Sequence, residues 1–107
     1  MAQRKPNPFA GRWRIAWMEM WGQDFVDMEV PGHFTFGEDG GGEFQFGLVN
    51  GWMDCRVEGD RVDFSWEGND EMDEASGRGY ARIVPEGISG RILFHQGDES
   101  DFRAVKD

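Results

Sequence analysis

Bulky apolar side chains return at every second position along most of this chain. The pattern is densest in Gly11–Trp21, where Trp13, Ile15 and Trp17 alternate with smaller or charged residues. Period two predicts a β-strand, because successive side chains leave a pleated backbone on opposite faces. A strand with this much aromatic area belongs against a core. The same rhythm continues downstream. Residues 25–30 predict a second strand, with Val26, Met28 and Val30 on one face. Phe34 and Phe36 mark a third, and Phe44, Phe46 and Leu48 a fourth.

Turn chemistry separates these runs. Pro31-Gly32 and Glu38–Gly42 break the pattern, and Asn50-Gly51 predicts a type I′ hairpin, since both residues tolerate positive φ. That turn would pair Trp52–Val57 with Glu43–Val49. Beyond Gly59-Asp60, Val62, Phe64 and Trp66 alternate inward against Arg61, Asp63 and Ser65. Residues 68–77 form the longest predicted connection, acidic throughout, with room for one helical turn between Asn69 and Gly77. Tyr80, Arg82 and Val84 share the face of the next strand. After Pro85–Gly87, Ile88, Gly90, Ile92 and Phe94 alternate, and Phe102 and Ala104 close the series.

Strands joined by short turns run antiparallel, because parallel pairs need long crossovers. A meander of about eight strands buries its edges most completely by closing on itself. The predicted fold is therefore all-β: an antiparallel up-and-down barrel, with a two-sheet β-sandwich as the alternative. Residues 1–8 are predicted to be a flexible N-terminal tail and residues 9–107 a single barrel domain.

Composition narrows the partners. The net charge of −10 opposes nucleic-acid backbones and anionic membrane surfaces, which both need a basic face. The 16 glycines show no collagen period and no linker tract, so they serve turns. One cysteine, Cys55, cannot form an internal disulfide and fits a reducing compartment. With no signal peptide and no long apolar run in sight, a cytoplasmic location is the expectation.

Phe9-Ala-Gly-Arg-Trp13 resembles the opening motif of lipocalins and related calycin barrels, Gly-x-Trp on the first strand. The resemblance implies a calycin-like barrel whose late-strand arginine packs across that tryptophan. Arg103 would fill this role, stacked on Trp13. It also implies a small apolar or aromatic ligand.

Candidate chemistry is sparse. His33 and His95 are expected outward, at the surface or rim, and with Cys55 they do not make a metal set. Cys55 itself is expected to be a buried structural thiol. The acidic stretch from Glu67 to Glu74 lacks the spacing of a calcium loop. Asp54 stands out, because it shares a strand face with Trp52 and Arg56. If Trp52 points inward, Asp54 and Arg56 do too, and with Tyr80 and Arg82 they form a polar cluster in the barrel. The nine or so aromatic rings facing inward suffice to fill a small barrel, so no large cavity is expected.

The predicted function is a non-enzymatic binding module. A small apolar or aromatic ligand would sit at one barrel mouth, against Trp17, Trp52, Asp54, Arg56, Tyr80 and Arg82. The alternative is a protein-interaction or structural module with a solid core, working through an exposed face or as a homodimer. No catalytic residue, metal or cofactor is predicted. A filled interior with an exposed aromatic patch would favour the alternative.

Overall fold

In the computed structural model, which describes residues 7–107, eight antiparallel strands form one closed barrel in simple meander order. The strands are β1 (Gly11–Met18), β2 (His33–Phe36), β3 (Gly41–Phe46), β4 (Val49–Glu58), β5 (Arg61–Asp70), β6 (Asp73–Val84), β7 (Gly87–Phe94) and β8 (Glu99–Lys106). A single-turn helix, α1 (Gln23–Val26), interrupts the sequence between β1 and β2. No helix is long and apolar enough to cross a membrane among the described residues. Of the tail expected over residues 1–8, the first six residues lie outside the described range. Asn7 and Pro8 belong to a turn in which Asn7 Oδ1 accepts from the Phe9 amide at 2.9 Å.

The interior is made of rings. Phe34, Phe44, Phe46 and Phe102 are fully buried, joined by Trp13, Phe36, Phe64 and Trp66. Phe34 stacks on Phe102 at 4.5 Å between centroids, and Trp66 meets Phe44 edge-on at 5.0 Å. Ile15, Val62, Ile88 and Ile92 fill the remainder. The inward sets expected for β2, β5, β7 and β8 all sit where alternation puts them.

Both ends are stoppered. At the upper end, where the β1–β2 connection lies, Trp21 packs on Phe46 at 5.2 Å and Phe94 at 5.9 Å, with Phe25 beside it. At the lower end Phe9 is fully buried, packs edge-on to Phe36 at 5.9 Å, and accepts a 2.8 Å hydrogen bond from Trp13 Nε1 on its carbonyl. The chain therefore closes its own mouths.

Four expectations change on contact with the structure. First, residues 25–30 are not a strand. The connection from Glu19 to Gly32 has to cross the upper end, and α1 does so by burying Val26 while Met28 stays exposed. Asp27 fixes this crossing by accepting from Gln23 Nε2 at 2.9 Å and from the Gly32 amide at 2.8 Å. Those two bonds, the Gln23 one foremost, hold its carboxyl below the usual range.

Second, a β-bulge at Ala16 breaks the alternation of β1. Ile15 pairs with Ala104 and Trp17 with the adjacent Arg103, so one residue is left over. Trp17 is turned outward, 43% exposed, and Met18 takes the interior position.

Third, the β3–β4 turn is Gly47-Leu48 and not Asn50-Gly51. Gly47 adopts φ +56°, and a Cβ there would overlap the Phe25 ring. Gly51 is instead an inward position, where a Cβ would come within 2.7 Å of Phe44 and 2.9 Å of Trp66. The missing side chain makes room for two rings.

Fourth, residues 68–77 are not a loop. β5 and β6 run on as a long hairpin to the Glu71-Met72 tip, pairing Gly68 with Ala75 and Asp70 with Asp73. Along β6 the inward set is Gly79 and Ala81, with Gly79 pressed against Phe64, so Tyr80 and Arg82 face out.

Candidate outer-face site

The inward sets of β4 and β6 and the bulge in β1 decide where the six candidate residues go. With the turn at Gly47-Leu48, Val49, Gly51, Met53 and Cys55 point inward on β4. Trp52, Asp54 and Arg56 therefore point outward, which corrects the interior cluster expected for them. Tyr80 and Arg82 join them outside, two strands away on β6. The pairings Arg56–Asp63 and Asp63–Tyr80 place these residues in one row across β4, β5 and β6. Trp17 does not belong to this group, because β1 is separated from β4 by β2 and β3.

The outer face so formed has two halves. In the lower half one arginine is partnered, while Arg56 and Arg82 make no ion pair with a described residue. Arg61 Nη2 lies 2.9 Å from Asp63 Oδ1, and its guanidinium covers the Tyr80 ring at 4.4 Å. Hydrogen bonds to Asp63 push the Arg61 guanidinium above its usual value. In the upper half stands Trp52, 62% exposed, the most open aromatic side chain on the barrel wall. Its cross-strand neighbours are Glu43 on β3 and Glu67 on β5.

Open grooves flank that indole. One, of about 470 Å³, is lined by Trp52, Glu67, Asn69, Glu74 and Ser76, with Gly68 and Ala75 as its floor. The other, about 420 Å³, runs past Trp52, Asp54, Ser65 and Glu67. Neither contains a base among its lining residues. At Gly68 the β4 backbone comes so close that a Cβ would overlap the Asn50 carbonyl.

Other candidate groups are accounted for elsewhere. Cys55 is buried, and burial, aided by the Asp54 charge, pushes its thiol up to about 11, so almost no thiolate exists at neutral pH. His33 is not a surface residue as expected. It is only 6% exposed, with Nδ1 3.1 Å from the Pro31 carbonyl and Nε2 3.1 Å from Glu43 Oε1. Arg12 Nη2 lies 3.5 Å from the same Nδ1. This outward histidine is shielded by its neighbours, and alternation alone carries no sign of that. His95 is exposed in a shallow groove with Ser76, Arg78 and Gln96. No three His, Cys, Asp or Glu side chains converge in a metal-holding arrangement among the described residues.

The late-strand cation expected over Trp13 is present but is a different residue. Lys106 Nζ sits 4.8 Å from the Trp13 ring and donates to the Ala10 carbonyl at 2.6 Å. Arg103, which points outward from β8, covers Trp17 at 5.3 Å instead. The bulge at Ala16 explains the exchange, because it brings Trp17 to the outer side beside its β8 partner Arg103.

No protein-family model, curated protein or solved structure matches the chain.

Proposed function

We propose that the barrel is a non-enzymatic interaction module with a solid core, and that its contact surface is the outer face of β4–β6 around Trp52. One observation carries this reading: a 62% exposed indole stands between two grooves on a wall whose inward aromatic rings are buried. Aromatic residues with an apolar body and a polar edge are over-represented at contact surfaces. A small apolar ligand at a barrel mouth has less support, because Trp21 and Phe25 fill one mouth and Phe9 the other. The single buried thiol suits a reducing compartment, and we place the module in the cytoplasm.

The five tryptophans test this directly. Their indole N–H signals are followed by heteronuclear NMR while aromatic fragments and neutral, basic and acidic peptides are added. Shifts confined to Trp52 and its groove are expected. Shifts at the buried Trp13 or Trp66 would restore the interior-ligand reading, and a silent Trp52 against the whole panel would overturn the proposal.

A further inference from the structure

Aromatic rings on the outside of this barrel come with a cation. Trp17 lies under Arg103 at 5.3 Å and Tyr80 under Arg61 at 4.4 Å. At the lower rim even the largely buried Trp13 has Lys106 at 4.8 Å. Trp52 is more exposed than any of these and has no cation over it among the described residues. An indole face carries negative charge density that attracts a guanidinium or ammonium group.

The surroundings of Trp52 are arranged for such a group. Glu43 and Glu67 stand opposite it on the two neighbouring strands, Asp54 follows two residues along β4, and Glu74 lines the far side of the larger groove. Arg78 shares the row of Asp54 and Ser65, and with Arg56 it lines the groove below, so Asp54 is the lower limit of the acidic half. Glu43 is shared with His33, but Glu67, Asp54 and Glu74 make no ion pair with a described residue. On the β7–β8 side, by contrast, Arg91 pairs with Glu99 and Asp101.

We propose that Trp52 is the seat for an arginine or lysine of a protein partner, presented on an extended basic segment that lies along the two grooves. The proposal rests on the outer-face reading above and supplies the chemistry of its partner. The cation would stack on the indole while Glu67 and Asp54 or Glu74 accept its N–H groups, an arrangement that a planar guanidinium satisfies best. The net charge of −10 would speed the encounter, and the local carboxylates would fix where the segment lands.

The test uses a synthetic peptide of alternating arginine and serine, and a neutral twin with citrulline for arginine. Binding is measured by tryptophan fluorescence and by the Trp52 indole signal, at low salt and at physiological salt. Saturable binding of the basic peptide alone is expected, weakened about tenfold by Trp52→Ala. E67Q/E74Q should weaken it more than E86Q/D98N, a pair that removes the same charge from distant exposed turns. The circular dichroism melt of each variant establishes that it is folded. Equal binding of the two peptides, an unchanged affinity in Trp52→Ala, or equal losses in the two charge-matched pairs would each overturn the proposal. If the neutral twin shifts Trp52 as strongly, the outer-face reading survives and only the basic partner falls. If neither peptide moves Trp52, the basic partner falls, and the outer-face reading falls with it when the aromatic fragments and acidic peptides are silent too.

Discussion

Two sides of the barrel wall carry an outward tryptophan, and they are finished differently. On the β1–β8 side, Trp17 is roofed by Arg103. Nearby, Arg91 Nη1 lies 2.6 Å from Asp101 Oδ1 and its Nη2 contacts Glu99, with Glu19 at 3.9 Å. Hydrogen bonds to Glu99 and Asp101 push that guanidinium well above its usual value. On the β4–β5 side, Trp52 has no cation over it, and Asp54, Glu67 and Glu74 make no ion pair with a described residue. The same residue types serve as structure on one side and as an unsatisfied surface on the other. Exposure of a tryptophan therefore says little by itself; what covers the ring says much more.

The largest effect that bears on this contrast comes from beneath both sides. Phe34→Ala removes a fully buried ring that stacks on Phe102, and should cost about 3–5 kcal/mol in denaturant unfolding. The Trp17 and Trp52 signals should be lost at one midpoint. Two midpoints would show that the sides are independent units and would break the comparison.

The next effect is one of pH and probes the core under the open side. Cys55 has its thiol raised from 9.0 to about 11, so the folded state holds a proton that the unfolded state releases first. Its contribution to stability should be complete below pH 9.0 and be lost as pH rises towards about 11. Cys55→Ala should flatten that slope. A thiol reagent at neutral pH should label the protein only after unfolding, and rapid labelling of the native protein would mean that the open side is also loosely packed.

Smaller effects separate the two indoles themselves. Trp17→Ala strips Arg103 of its ring and should cost about 1 kcal/mol. Trp52→Ala touches no such contact and should change stability by less than about 0.5 kcal/mol. Urea titrations of both variants measure this difference. Equal costs would mean that Trp52 is as much a part of the fold as Trp17.

The barrel was legible in the sequence because period two and tight turns recur from Trp13 to Ala104. Alternation placed Phe34, Phe36, Phe44, Phe46, Val62, Phe64 and Trp66 correctly inward. It failed where one residue changes the count. The leftover Ala16 reversed Trp17, and on β4 the inner side belongs to Val49, Gly51, Met53 and Cys55 and not to Trp52, Asp54 and Arg56. Asn50-Gly51 has the chemistry of a turn, yet Gly51 is there because Phe44 and Trp66 leave no space for a side chain. That crowding comes from other strands, and no local signal reports it. Five of the six candidate residues share one outer face, but alternation had placed them on its inner side. The shielding of His33 by Glu43 and Pro31 was hidden for the same reason.

The pairing of β1 with β8 has a consequence for how the barrel closes. It joins the two most distant strands of the cylinder, so it carries the greatest loop-closure entropy of any pairing in the fold. Until Glu99–Lys106 docks, the seven earlier strands can form only an open sheet with two bare borders. Docking of the eight-residue β8 removes both borders at once.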